Sequence, residues 1–84
     1  MDKSAKRFLV QTFQAMKKNG RKPKKRLIAK SLEYSIKAHG KQKRVSGEPY
    51  WMHPAHVALE LSRLGADSST VAAAFLHDTL EDTD

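Results

Sequence analysis

Apolar positions recur at helical spacing in four stretches of the chain, and nowhere do they alternate convincingly as a half-buried strand requires. Between residues 4 and 18, Ala5, Leu9, Phe13 and Met16 fall at i, i+4, i+8 and i+11, while Lys6, Arg7, Lys17 and Lys18 lie mostly off that stripe. The pattern predicts an amphipathic helix that Asn19-Gly20 ends. A charged run around a proline follows, Arg21-Lys22-Pro23-Lys24-Lys25-Arg26, and reads as a solvated linker that enters a second helix with Pro23 near the first turn. That helix, 24–39, lines Ile28, Leu32, Ser35 and Ile36 along one face and stops at Gly40.

His53-Pro54 opens a third helix, because proline suits the first helical position and leaves His53 at the cap. Val57, Leu61 and Leu64 supply its stripe, and Gly65 ends it. Asp67 is a good N-cap for a fourth helix that starts at about Ser68 and runs through the acidic residues at the end of the sequence; Ala72-Ala73-Ala74 lets it approach its neighbours closely. The expected fold is all-α, a bundle of about four helices.

Length and charge sharpen this picture. The 84 residues fit one domain at most, near the size at which a core alone seldom yields more than about 3–5 kcal/mol, so a bound metal would matter for folding as well as chemistry. The absence of cysteine excludes disulfides and thiolate metal sites, and leaves His, Asp and Glu as the strong ligands. No apolar stretch approaches the roughly 18 residues that span a bilayer, and no apolar h-region follows the basic N-terminus. A soluble, cytoplasmic protein without a membrane partner is expected.

The net charge of +7 conceals an asymmetry. Residues 1–44 hold fifteen of the sixteen Lys and Arg against two acids, a balance of +13, while residues 45–84 carry −6. A basic wall facing an acidic pocket suits an anionic ligand that also needs a cation. RNA is the rival partner, since a basic stretch is the usual footprint of phosphate-backbone binding.

Two segments carry chemistry. The loop from Lys41 to Trp51 combines base, glycine, proline and aromatic residues in a way a passive connector does not need, and reads as ligand-contacting. In the last dozen residues an apolar run passes directly into His77, Asp78, Glu81 and Asp82. On a helix His77 and Asp78 point about 100° apart, with Glu81 and Asp82 one turn further on. Two such neighbours can close on one ion from a single helix, and His53 can add a second imidazole. That donor set permits Mn, Fe, Co or Zn. The bland alternatives stand beside these readings: His39 as a dipole partner or partly buried filler at a helix C-terminus, His56 turned to solvent, Tyr50 and Trp51 packed beneath the loop, and Glu81 and Asp82 as a solvated helix end.

The residues together resemble a known family. His53 with His77-Asp78 is similar to the HD phosphohydrolase superfamily, and the longer match carries more: Ala38-His39-Gly40, Gln42-Lys43-Arg44, Ser46-Gly47-Glu48-Pro49-Tyr50, His53-Pro54, Leu64-Gly65, and Ala72 through Asp78 and Glu81-Asp82-Thr83-Asp84. Over about residues 25–84 the chain looks like the N-terminal half of a RelA/SpoT-type alarmone hydrolase domain. The resemblance implies an all-helical bundle and manganese-dependent removal of the 3′-pyrophosphate from guanosine tetra- or pentaphosphate.

It further implies that His53, His77 and Asp78 are metal ligands and that Glu81 and Asp82 orient and activate the attacking water. Arg44 would pack against the guanine, with Ser46 in the same nucleotide-contacting loop. Val45 stands where the family often has a second basic residue, a loss for which Lys43 or Lys41 could compensate. The family's metal is completed by a later aspartate, so residues 25–84 read as a truncated HD-domain fold preceded by a basic helix and linker, 1–24.

Two other function classes remain. One is a non-catalytic basic module, derived from an HD domain, that binds nucleotide or RNA; the lysines at 17, 18, 22, 24 and 25 precede the matched stretch and are not explained by it. The other is HD-type hydrolysis of a different nucleotide, which would make the loop from Lys43 to Tyr50 a coincidence. Oligomeric state is not legible. If the basic segment binds RNA, affinity for an oligonucleotide should fall steeply with salt, with a log–log slope of about −0.7 per neutralised phosphate; a flat titration would rule that partner out.

Overall fold

The computed structural model describes residues 1–79 as four helices: α1 (Lys3–Lys18), α2 (Lys25–His39), α3 (Met52–Arg63) and α4 (Ser68–Leu76). Among these residues there is no strand, only an isolated antiparallel bridge between Lys43 and Pro49. Helix α4 packs on both α2 and α3, while α1 lies mainly along α3. The shared core comprises Ala5, Phe8 and Met16 of α1, Ile28 and Leu32 of α2, Ala55, Ala58 and Leu59 of α3, and Val71, Ala74 and Phe75 of α4, joined by Trp51. The all-α expectation holds.

Several predicted faces are rotated. On α1 the buried positions are Ala5, Phe8, Thr12 and Met16, with Leu9 and Phe13 only half-buried. Against α3 the chain uses the i, i+3, i+7, i+11 row, and Phe13 lies instead beneath the Lys25 ammonium, 5.8 Å from its ring centre. On α3 the core side is Pro54, Ala55, Ala58, Leu59 and Ser62; Val57 and Leu61 sit at its margin and Leu64 is 82% exposed. Small residues bury here because α1 and α4 approach α3 from both sides, leaving the large residues to fill the flanks.

The linker is less free than its charge suggests. Asn19 Nδ2 donates to the Ala15 carbonyl (3.0 Å) and to those of Ser62 (3.2 Å) and Arg63 (3.3 Å). Arg21 Nε donates to the Gly65 carbonyl (3.0 Å), and the Lys24 N–H donates to Ser68 Oγ (2.9 Å). Solvated side chains therefore ride on a backbone pinned to the α3–α4 junction. His56, expected to face solvent, is exposed but also sets its ring edge-on to Phe8, with centroids 4.9 Å apart.

Helix α4 starts as expected: Asp67 has extended backbone and its Oδ1 accepts from the Thr70 N–H at 2.9 Å. It ends at Leu76, before His77 and Asp78, which the expected helix included; Glu81, Asp82 and Asp84 lie outside the described residues. The Ala74 carbonyl accepts from His77 Nδ1 (2.6 Å), and Thr79 Oγ1 donates to the Leu76 carbonyl (2.9 Å), so side chains take up carbonyls that further helical turns would otherwise occupy.

The Thr70 backbone hydrogen bond, aided by the Thr70 side chain and by Arg21 and Lys24, holds the Asp67 carboxyl below the ordinary aspartate range. A depressed carboxyl contributes stability that is complete above the unfolded-state value and is lost as pH falls through the folded-state value. The melting temperature of the wild-type chain should therefore exceed that of Asp67→Asn at neutral pH. The gap should close as acidification carries the solution down through the lowered folded-state value of Asp67; a pH-independent gap would contradict the assignment.

Candidate metal centre

The centre lies where the start of α3 meets the end of α4. His53 occupies the first turn of α3, inside the helix rather than at its cap, since α3 begins at Met52 with Trp51 before it. Pro54 is buried beneath it, tolerated because the first-turn N–H groups lack intrahelical partners. Phe75, fully buried, and the alanines of α4 press that helix against α2 and α3 and fix where His77 and Asp78 emerge. One ligand atom each from His53, His77 and Asp78 lies within 4.8 Å of the others. The rings of His53 and His77 are 6.2 Å apart.

The chemistry of the donors fits a divalent cation. The Ala74 carbonyl can only accept, so His77 Nδ1 carries the proton and Nε2 presents its lone pair. That Nε2 stands 3.2 Å from Asp78 Oδ1. With neutral His77 the two electron-rich atoms repel unless a cation lies between them, and two donors about 2.1 Å from one ion at a right angle stand about 3 Å apart. A backbone carbonyl fixing the outer nitrogen is the usual support of a metal-ligating histidine. His77 and Asp78 are the first two residues past the end of α4, and His77 keeps helical dihedrals (φ −61°, ψ −27°). Glu81 and Asp82 lie outside the described residues.

The loop after α2 borders this centre. Lys43, Arg44 and Ser46 are exposed and, with Gln42, Val45 and Tyr50, line an open concavity of about 720 Å³. The loop is tight: the Arg44 N–H donates to the Glu48 carbonyl (2.9 Å) and the Gly47 N–H to the Arg44 carbonyl (2.8 Å), with Gly47 at φ 88°, where a side chain would be strained. Arg44 Nη1 reaches back to within 3.4 Å of His53 Nδ1. Val45, in place of a second base, is fully exposed.

His39, for which a dipole partner or partly buried filler is the bland expectation, stands as a pillar beside the loop. His39, the last residue of α2, is buried, and its Nδ1 lies 3.0 Å from Gln42 Oε1. The Gln42 N–H donates to the His39 carbonyl and the Tyr50 N–H to the Gln42 carbonyl, both at 2.9 Å. The His39 ring lies 4.8 Å from that of Tyr50, which in turn lies 6.0 Å from His53. The Gln42 spacing, three residues past a helix-terminal histidine, was the available signal. Trp51, expected to pack beneath the loop, is buried in the helical core at 5% exposure, edge-on to Phe8 of α1.

Two imidazoles and a carboxylate gathered at the ends of packed helices make a candidate metal site in an all-α fold. Residues 31–84 match the HD domain family, and the chain belongs to it. It is 56% identical over 57 residues to a guanosine-3′,5′-bis(diphosphate) 3′-pyrophosphohydrolase of Aquifex aeolicus and, at the same identity and length, to a probable enzyme of that name in Mycoplasma pneumoniae. It is 49% identical to a GTP pyrophosphokinase of Brucella ovis. Each match covers 68% of this chain and 8% of the relative's length. No solved structure matches. No helix among the described residues is long and apolar enough to cross a membrane.

Replacing His39 by Ala removes a buried ring and leaves Gln42 without its partner. A loss of about 2–3 kcal/mol is expected in denaturant unfolding, with faster amide exchange at Gln42 and Tyr50 than at core positions of α2. Unchanged exchange at those two amides would show that His39 does not support the loop.

Proposed function

We propose that the chain carries the metal centre and nucleotide-contacting loop of a cytoplasmic guanosine-alarmone 3′-pyrophosphohydrolase, with residues 25–84 as the N-terminal half of the hydrolase domain and residues 1–24 as a basic helix and linker. The observation that carries this reading is the convergence of His53, His77 and Asp78 within 4.8 Å, in a chain half-identical to relatives named for that activity. Manganese is the proposed ion, since imidazole with carboxylate suits a first-row divalent metal.

A bound ion would lower the pKa of water and offset charge on the phosphoryl oxygens. His77, its tautomer held by the Ala74 carbonyl, Asp78 and His53 would hold it. Glu81 and Asp82 are the proposed pair that positions the water and takes its proton as it attacks phosphorus. The bond between phosphorus and the 3′-oxygen then breaks, and that oxygen leaves with a proton. Arg44 is assigned to the guanine, for which a planar cation is suited. Ser46 and Lys43 are assigned to the nucleotide's polar groups along the same concavity.

A second reading has an observation of its own. Lys17, Lys18, Lys22, Lys24 and Lys25 are all exposed and lie outside the stretch that matches the HD family, as a non-catalytic nucleotide- or RNA-binding module would have them. Pyrophosphate release from guanosine 3′,5′-bis(diphosphate) with Mn²⁺, measured on a protein that carries this segment within a whole hydrolase domain, separates the two, since half a domain is expected to turn over little. His77→Ala or Asp78→Ala should reduce release to background, and either variant turning over at the wild-type rate would sink the assigned roles.

A further inference from the structure

Arg44 holds a position that its place in the ligand loop does not require. Its backbone is fixed by the turn with Gly47 and Glu48, yet its side chain turns back to the first residues of α3, where Nη1 lies 3.4 Å from His53 Nδ1. Among the described residues no carboxylate lies within ion-pair distance of the guanidinium. The contact is therefore between a permanent cation and one histidine of the metal centre.

A guanidinium has five N–H donors and no acceptor, so in this contact His53 Nδ1 must accept. A neutral imidazole has one ring lone pair, with the proton on the other nitrogen. While Arg44 occupies Nδ1, the proton is on Nε2 and no lone pair remains for an ion. Should a metal use Nε2 instead, the proton moves to Nδ1 and faces an N–H of Arg44. Whichever nitrogen the metal takes, the arginine contact is lost, and the two positive charges also repel at this exposed site, weakened by solvent.

We propose that Arg44 is a placeholder cation at the metal centre: the guanidinium and a divalent ion are mutually exclusive partners of His53, so metal binding releases Arg44 to the anionic ligand of the loop. This rests on reading His53, His77 and Asp78 as a metal centre. Because coupling between two binding events is reciprocal, an anion that draws Arg44 away also strengthens metal binding. Metal and nucleotide then assist one another although they share no atom of the protein.

The test measures Mn²⁺ affinity of the 84-residue chain from the paramagnetic resonance signal of the free ion. Arg44→Gln removes the charge from an exposed loop position and should tighten binding on the order of 2–5-fold, the upper range of a screened surface interaction. Lys41→Gln removes an exposed charge from the same loop and should leave the affinity within about twofold. Equal or weaker binding by Arg44→Gln overturns the proposal, as does an equal gain from Lys41→Gln, while wild-type binding leaves the metal centre standing. If neither the wild-type chain nor Arg44→Gln binds the ion, the metal-centre reading falls and this inference with it.

A second readout needs no metal. Long-range ¹H–¹⁵N spectra of the metal-free wild-type chain should find the His53 proton on Nε2, with that preference lost in Arg44→Gln. A proton on Nδ1 in the wild type overturns the proposal whatever the metal titration gives.

Discussion

Helix α4 has nine residues, far fewer than an isolated helix needs to persist in water, so it exists because two faces hold it. Val71, Ala72, Ala74 and Phe75 are buried in its packing against α2 and α3. With Asp67 closing its first turn and the His77 ring its last, its orientation is over-determined. The metal centre inherits that precision: His77 and Asp78 are the first residues past the end of a short, tightly clamped rod. Any loosening of Phe75 in the core would reach the centre before it reached the outer helices.

Electrostatics add a second layer. The chain separates its charge by sequence, base first and acid later, and the fold brings the halves together at two places, with Arg21 and Lys24 beside Asp67 at the α3–α4 junction and Arg44 on His53 at the start of α3. The remaining cations of α1, the linker and α2 are largely solvent-exposed. Local contacts at the centre are thus few and specific, while the broad positive field acts at a distance on whatever anion approaches.

Punctuation was the most legible part of the sequence. Asn19-Gly20, Gly40, Gly65 and Asp67 each stand at or next to a helix boundary, because their local backbone preferences act without help from tertiary structure. Faces were less legible. Leu64 belongs to the apolar pattern of α3 but is exposed, while Ala58 and Ser62 are buried, since which side of a helix is covered depends on two neighbours that no single-helix pattern encodes. At the centre, the trio His53, His77 and Asp78 could be named from residue types and family resemblance. What could not be read was the turn after Leu76, where a histidine ring captures a backbone carbonyl, or the burial of His39 under the loop. Both depend on side chains choosing backbone partners in three dimensions.

The bonds that pin the linker have a bearing on how the chain reaches this fold. Asn19, Arg21 and Lys24 each reach partners 43 or 44 residues away, at the far ends of α3 and α4. The corner between α1 and α2 is thus tied to the corner between α3 and α4. When the two corners part, Asn19, Arg21 and the Lys24 N–H lose these partners, and the Ser62, Arg63 and Gly65 carbonyls and the Ser68 hydroxyl lose a donor, so the ties couple the first and last helices of the chain. Contacts between residues so far apart in sequence carry a loop-closure cost that contacts within one helix do not.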